Sequence, residues 1–512
     1  MIKKKSLYLY IFLFFFSIFL FFSNGHYGGD GLENYLTAES LVLDRDLSIH
    51  DRPFNVNEMS YVSRGKIDSS GKYYSPHNIG MPILLAPFYI TGHLLSKAIN
   101  NGADHDYITQ FCVSLANPII NAFTALVLFI FLKHLRFSLK TCFLTTVCYG
   151  LCTMNLIYVR SGFSEPAIGI FILSAMLLLY KFEEKELIKY ISLASFLVGY
   201  TLLIKNNSFL YLPLFLVYLL YKSKNKKSFG SLSKFLVVSL TPLLLCILVY
   251  FYISSLKGSC VNSIQKTDEL VKEGIKHGSS IAKAIYYYIF SPGKSFFLYN
   301  LPLILALFGI GSLWERKKSF ALYCLIFIFA NIIFYIYRFE RGSIFSWGPR
   351  YLYPIVPLFC IFLAEFIQNI KTKATKITFF FTAFLGFLIQ LPCLFVSFTK
   401  YLMFIKEQLA LPEYFINFMP ELSPIRGVWF LFISSIHRIF FKLSLFFEYN
   451  PDPLFVPAIR KSLENYDIWD IWWISVSKFL PQIYPIMVIC VVLLVLIAVL
   501  SFIRIRKLIS EL

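Results

Sequence analysis

Asp30 stands directly after two glycines in the stretch HYGGDGLENYLTAES, just beyond an apolar run from Leu7 to Phe22. A carboxylate there could take a proton from a hydroxyl or hold a cation. Gly28 and Gly29 let the backbone turn and let a substrate come close. The residues that follow have helical spacing. Leu32, Tyr35, Leu36, Ala38, Leu41 and Leu43 form an apolar face, and Glu33, Glu39 and Asp44 lie off it. The plain alternative is that Asp30 only caps this helix. A second acidic residue, Glu165, opens an apolar run in VRSGFSEPAIG, with Pro166 suited to a first helical turn. An acidic group at a membrane-crossing run is costly and therefore a functional candidate. Its alternative is simple attraction to a helix N-terminus.

Four basic residues fall in segments otherwise poor in positive charge: Arg160, Lys205, Lys294 and Arg350. Arg350 lies in SWGPRYLYPIVP, between Pro349 and Tyr351 and close to Trp347. A guanidinium suits bidentate contact with a phosphate, whereas lysines at such positions commonly snorkel to lipid headgroups. Tyr74 and His77 lie together in KYYSPHNIG. A metal held by His26, Asp30 and His77 is conceivable, but neutral polar packing is the simpler reading of these histidines. There is no P-loop and no GxGxxG, so nothing indicates a nucleotide site.

These residues need a scaffold, and the composition says which kind. Of 512 residues, 57% are hydrophobic, 19% aromatic and only 15% charged. That balance predicts a polytopic membrane protein with many separate apolar runs. The net charge of +19 comes mostly from short basic segments between those runs. This is the positive-inside pattern, with attraction to membrane lipids, rather than a nucleic-acid surface. KHLR, KFEEKELIK, KSKNKK, WERKK, KTKATK and RIRK fall in every second loop, which predicts about twelve spans with both termini inside. The start, MIKKK with its apolar run, reads as an uncleaved first span rather than a signal peptide, because no small-x-small cleavage site follows. Two apolar runs break the alternation if counted as spans: Ile79 to Leu95 and Gly427 to Phe447. Both contain prolines or charges and read as helices in the outer interface. The expected division is a membrane core over 1–398 with a first outer loop at 23–109, an outer loop region over 399–482, and a last span with its tail over 483–512. The cysteines lie almost wholly in apolar runs without CxxC spacing, so they are small packing residues.

The ordered series of the acidic residue after span one, YYSPHNIGMPILLAPFY, SGFSEP, SPGKSFFLYNLPLIL and WGPRYLYPIVPL resembles the GT-C class of membrane glycosyltransferases. More narrowly it resembles bacterial lipid-carrier-dependent glycosyltransferases, relatives of the protein O-mannosyltransferases and of the lipid A aminoarabinose transferase. The resemblance runs over most of the chain. It implies an all-α polytopic bundle of about twelve transmembrane helices with outer interfacial helices, in a bacterial inner or plasma membrane. It also implies a polyprenyl-phosphate-linked sugar as donor and an active site on the outer face. Carried over residue by residue, Asp30 is the essential acidic residue of the first outer loop and Glu165 the second acidic position. Arg350, Lys205 and Arg160 are the expected donor-phosphate contacts. Glu33, Tyr74, His77 and Trp347 are the expected substrate contacts. No DxD follows Asp30, so a divalent metal is left open and no other cofactor is expected. The expected reaction is inverting transfer with Asp30 as base. A transporter or flippase of lipid-linked sugars is the main alternative. It calls for broken helices or repeats, which the sequence does not display. A scaffold with degenerate catalytic residues is a third reading, against which the outer charges argue.

Overall fold

The structure, a computed structural model, describes residues 2–49, 66–67, 72–99, 105–223, 229–257, 279–338, 346–403, 405, 413–441, 469–474 and 483–512. Among the described residues, eight helices are long and apolar enough to cross a membrane. They differ in depth. The window of Arg350–Gln368 is 83% buried inside the protein, whereas that of Tyr484–Glu511 is 11% buried. The first therefore forms the centre of the bundle, and the second turns its Leu, Ile and Val side chains outward, as a lipid-facing helix must. Ala306–Arg316 and Leu139–Leu151 pack on the central helix, and Glu165–Lys185 packs on its first turns. Tyr484–Glu511 lies along Ile2–Phe21 at the rim. The chain is an all-α, multi-pass integral membrane protein. The described β-structure is a small antiparallel sheet of Ser48–Ile49, Tyr73–Tyr74 and Lys66–Ile67, with the Tyr73 strand in the middle.

Several apolar runs are interrupted. Leu139–Leu151 and Ile188–Ile204 are shorter than a full span, and the run from Phe296 divides into Phe296–Tyr299, a 3-10 turn Leu301–Ile304 and Ala306–Arg316. Pro302 removes a helical donor there. Side chains fill the gap: Asn300 Nδ2 donates to the Phe296 carbonyl at 2.8 Å, and Gln390 Nε2 donates to the Tyr299 carbonyl at 3.0 Å.

Among the described residues, the basic segments around Arg136, Lys181, Arg316 and Lys371 meet at one end of the bundle. Arg316 donates to the Leu135 carbonyl at 2.5 Å and to Glu365 at 2.6 Å. Lys317 donates to Tyr180 at 3.1 Å, and the Gln368 side chain accepts from the Ser138 amide at 3.2 Å. Asp30, Glu165, Lys205 and Arg350 meet at the opposite end. The alternation read along the chain is thus a two-ended arrangement in space. Gly80–Ile99 is long and apolar enough to cross a membrane, yet its contacts lie at the acidic end. Its first turn meets Leu203 and the hydroxyl of Tyr200, and Gly92 lies against Thr109. The helix Pro424–Phe441 covers the described part of the second interfacial run, and 442–447 lie outside the described residues. In a functional single-cysteine background, Lys72→Cys should label from one side of a sealed vesicle and Lys371→Cys only from the other. Labelling of both from the same side would break the two-ended scheme.

Candidate active site

Gly29, with φ +55°, is the N-cap of the helix Asp30–Leu43, and no side chain caps it. Asp30 is therefore the first helical residue, and its carboxylate is not used as a cap. The helix enters the site through a glycine contact. A Cβ on Gly31 would lie 2.6 Å from the Gly162 Cα, and one on Gly162 would lie 2.6 Å from the Gly31 Cα. No side chain fits at either position. This close approach brings Asp30 beside Phe163 and the start of the Glu165–Lys185 helix.

Arg350 arrives from the other side on a clamped loop. Lys294, itself buried, donates to the Ser346 carbonyl at 2.6 Å, its hydroxyl at 2.9 Å and the Gly348 carbonyl at 3.3 Å. Trp347 is sealed in the core, where its indole donates to Gln390 at 2.7 Å and its carbonyl accepts from Tyr158 at 3.1 Å. Arg350 then opens a 3-10 turn, Arg350–Ile355.

The guanidinium joins both carboxylates. Arg350 Nε donates to Glu165 Oε1 at 2.8 Å, and Nη2 donates to Asp30 Oδ2. Its plane lies 4.1 Å from the centre of the Phe163 ring. Lys205 also donates to Glu165 Oε1, and its ammonium lies 4.8 Å from the centre of the Tyr351 ring. The other Glu165 oxygen is buried without a hydrogen-bond partner. The two carboxylates differ in access: the Asp30 side chain is 31% exposed, that of Glu165 2%. Asp30 Oδ1 faces His77 Nε2 at 3.7 Å. Burial works to raise the Asp30 pKa, but Arg350, then His77 and Lys205, outweigh it and hold the carboxyl well below the usual range. Burial pushes His77 down to about 4 against the pull of Asp30, so the ring is neutral near pH 7.

The segment carrying His77 is strapped down. Ser75 donates to Glu33 at 2.9 Å, and His77 Nε2 lies 3.6 Å from the same Glu33 oxygen. Lys257, at the end of the helix Phe229–Leu256, donates to the His77 carbonyl at 2.8 Å. Burial pushes Lys257 down to about 8, with Glu33 opposing. A cavity of about 230 Å³ opens beside this segment, bounded by His77, Lys205, Asn206, Asn207, Arg338 and Tyr351 among others.

Asp30, Glu33, His77, Glu165, Lys205 and Arg350 are thus brought together. Three expected site residues are turned elsewhere. Arg160 pairs with Asp470 at 3.0 Å and donates to the Cys393 carbonyl. Tyr74 is in the small sheet, opposite Ser48 and Lys66. Trp347 supports the Arg350 loop from inside the core. His26 also faces Asp470, at 3.9 Å, so it does not join Asp30 and His77. Among the described residues no group of three His, Cys, Asp or Glu side chains is arranged to hold a metal ion. Lys257, Ser75 and Arg338 were not singled out from sequence. Lys257 and Arg338 carried the same signal as Lys205, a cation at the non-basic end of an apolar run.

No protein-family model and no curated protein matches the chain. Among solved structures, ArnT from Cupriavidus metallidurans in the apo state is similar, with a TM-score of 0.43 and 12% sequence identity. The match covers 81% of this chain and 72% of that one.

Proposed function

We propose that the protein is a GT-C-type glycosyltransferase that moves a sugar from a polyprenyl-phosphate carrier to an acceptor hydroxyl at the outer membrane face. One observation carries this reading: an accessible carboxylate, Asp30, and a sealed one, Glu165, share one arginine at the end of a membrane bundle opposite its basic segments. Such a pair divides two tasks. Arg350 occupies Asp30 Oδ2 and leaves Oδ1, toward His77, to accept a proton. As the acceptor oxygen attacks the anomeric carbon, Asp30 Oδ1 takes its proton. The bond from that carbon to the phosphate oxygen breaks, and the electron pair leaves with the polyprenyl phosphate. Attack opposite the leaving group inverts the centre. Glu165 holds Arg350 and Lys205 in register, and Lys205 offers positive charge on the side where the phosphate departs. Neutral His77 orients the acceptor by a hydrogen bond.

A lipid-linked donor cannot leave the bilayer, which accounts for a base at the membrane end of the bundle. The transporter alternative gains little from the interrupted run at Leu301–Ile304. Asn300 and Gln390 donate to the Phe296 and Tyr299 carbonyls and so satisfy that break from within the protein, rather than leaving it to line a passage. The test is direct. Purified protein is incubated with a panel of polyprenyl-phosphate sugars, and release of polyprenyl phosphate is measured with and without candidate acceptors. Sugar release from one or more donors is the expected result. Vectorial movement of intact lipid-linked sugar, with no cleavage of any donor, would sink the proposal.

A further inference from the structure

The cavity beside His77 has a wall of which the reaction scheme uses only Lys205. Arg338 and Lys205 bound it together with Asn78, Asn206 and Asn207, and no carboxylate is among its lining residues. Arg338 donates to Asn207 Oδ1 at 2.9 Å and stacks on Phe334 at 5.6 Å, and no described acidic residue pairs with it. Both cations stand at helix C-termini, after Ile188–Ile204 and Lys318–Tyr337. That position alone favours a positive charge. Their side chains do not serve the helix ends, however: Lys205 reaches Glu165, and Arg338 reaches Asn207. The amides are also oriented. Asn78 donates to Asn206 Oδ1 at 2.7 Å, and Arg338 occupies Asn207 Oδ1, so the NH2 group of Asn206 remains as a donor while that of Asn207 is shared with the Tyr335 hydroxyl.

Arg350 offers no such opening. Two carboxylates take its guanidinium, Phe163 covers a face, and 7% of the side chain is exposed. An anion could reach it only by displacing Asp30 or Glu165.

We infer that Arg338, with Lys205 and the Asn206–Asn207 amides, forms an anion subsite for a phosphate monoester, and that Arg350 positions the two carboxylates instead of binding the phosphate. The inference deepens the transferase reading and rests on it for the identity of the ligand. A cavity of about 230 Å³ suits a headgroup rather than an oligosaccharide, being below the roughly 300–1,000 Å³ of drug-sized sites. Lys205 links the two halves, since it borders the cavity while paired with Glu165. An anion seated there competes with Glu165 for Lys205, which couples filling of the subsite to the carboxylate pair.

The experiment measures binding, so it does not depend on turnover. Full-length protein in detergent is titrated calorimetrically with farnesyl phosphate, farnesol and inorganic phosphate. Wild type should bind farnesyl phosphate more tightly than farnesol. Arg338→Gln should weaken the phosphate compound by about tenfold or more, as for a lost charge-assisted hydrogen bond, and leave farnesol unchanged. Asn207→Asp is a second variant that keeps Arg338 but places a carboxylate in the cavity, and it should show the same selective loss. Lys371→Gln, on the far end, should bind as wild type. Competition by inorganic phosphate would show that the phosphoryl group alone is recognised. Its absence, with selective farnesyl phosphate binding retained, would show that the lipid chain is needed as well, and both results keep the subsite. Wild-type affinity in folded Arg338→Gln or Asn207→Asp, or equal affinity for farnesol and farnesyl phosphate, overturns it. Selective phosphate binding with no sugar transfer from any donor would keep the subsite and reject the transferase.

Discussion

Asp30→Asn protein should fold, hold donor, and lose transfer by about 100- to 10,000-fold, the usual contribution of a general base. Asparagine matches aspartate in size and its carbonyl oxygen can still accept from Arg350 Nη2. What it lacks is the ability to take a proton. Helix capping does not confuse the result, because Gly29 and not Asp30 is the N-cap. The pH profile supplies a second readout. Arg350 holds the Asp30 carboxyl well below its ordinary range despite burial, and burial pushes His77 down to about 4. Asp30 is therefore ionised and His77 neutral above roughly pH 5, and neither should produce an acid limb near neutrality. A depressed pKa also makes a weak base. The base strengthens if Arg350 loosens its hold as the acceptor arrives, so the acid limb should move upward when the acceptor is saturating. Near-normal turnover of folded Asp30→Asn, measured as polyprenyl phosphate released per enzyme, would remove Asp30 from the chemistry.

The charged members of this site were legible because charge is rare in such a chain. Asp30, Glu165, Lys205 and Arg350 stood out one by one against apolar runs. Their pairing was not legible. Arg350 is 185 residues from Glu165 and 320 from Asp30 in sequence, and local pattern carries no information over such separations. A guanidinium near an interface reads as a phosphate ligand until its actual partners are known. Arg160 shows the same limit in reverse: it has the residue type and position of a site residue, but Asp470 takes it away. The helical membrane bundle itself was readable from the apolar runs, and the described basic segments between them gather at one end. Helix interruptions were not readable, because a proline alone does not decide them: Pro87 and Pro242 lie inside continuous helices, whereas Pro302 lies in a 3-10 break. Lys294 read as a snorkelling lysine. It is instead buried under three acceptors of the 346–348 loop, a role that only tertiary contact reveals.

Arg350→Met should be the most destabilising single change at the site. It removes the one group that neutralises two carboxylates at once, of which Glu165 is almost wholly buried. Breaking a buried pair by deleting one partner typically costs about 3–5 kcal/mol, since the remaining charge is left desolvated. Lys205 still meets Glu165, which places the expected loss toward the lower part of that range. Arg350→Lys keeps a charge but not the fork, so it can serve one carboxylate and not both. Its loss of stability should be smaller, while its loss of transfer should remain large because Asp30 is no longer aligned. The decisive variant is the double one. Arg350→Met with Glu165→Gln removes the stranded charge together with its partner, so most of the lost stability should return while transfer stays absent. Such non-additivity is expected of residues in direct contact. Thermal unfolding in detergent, followed for wild type, both single variants and the double variant, gives the coupling. Additive losses in that cycle would mean that Arg350 and Glu165 do not hold one another, and the assignment of Arg350 as the residue that aligns the carboxylates would fail with it.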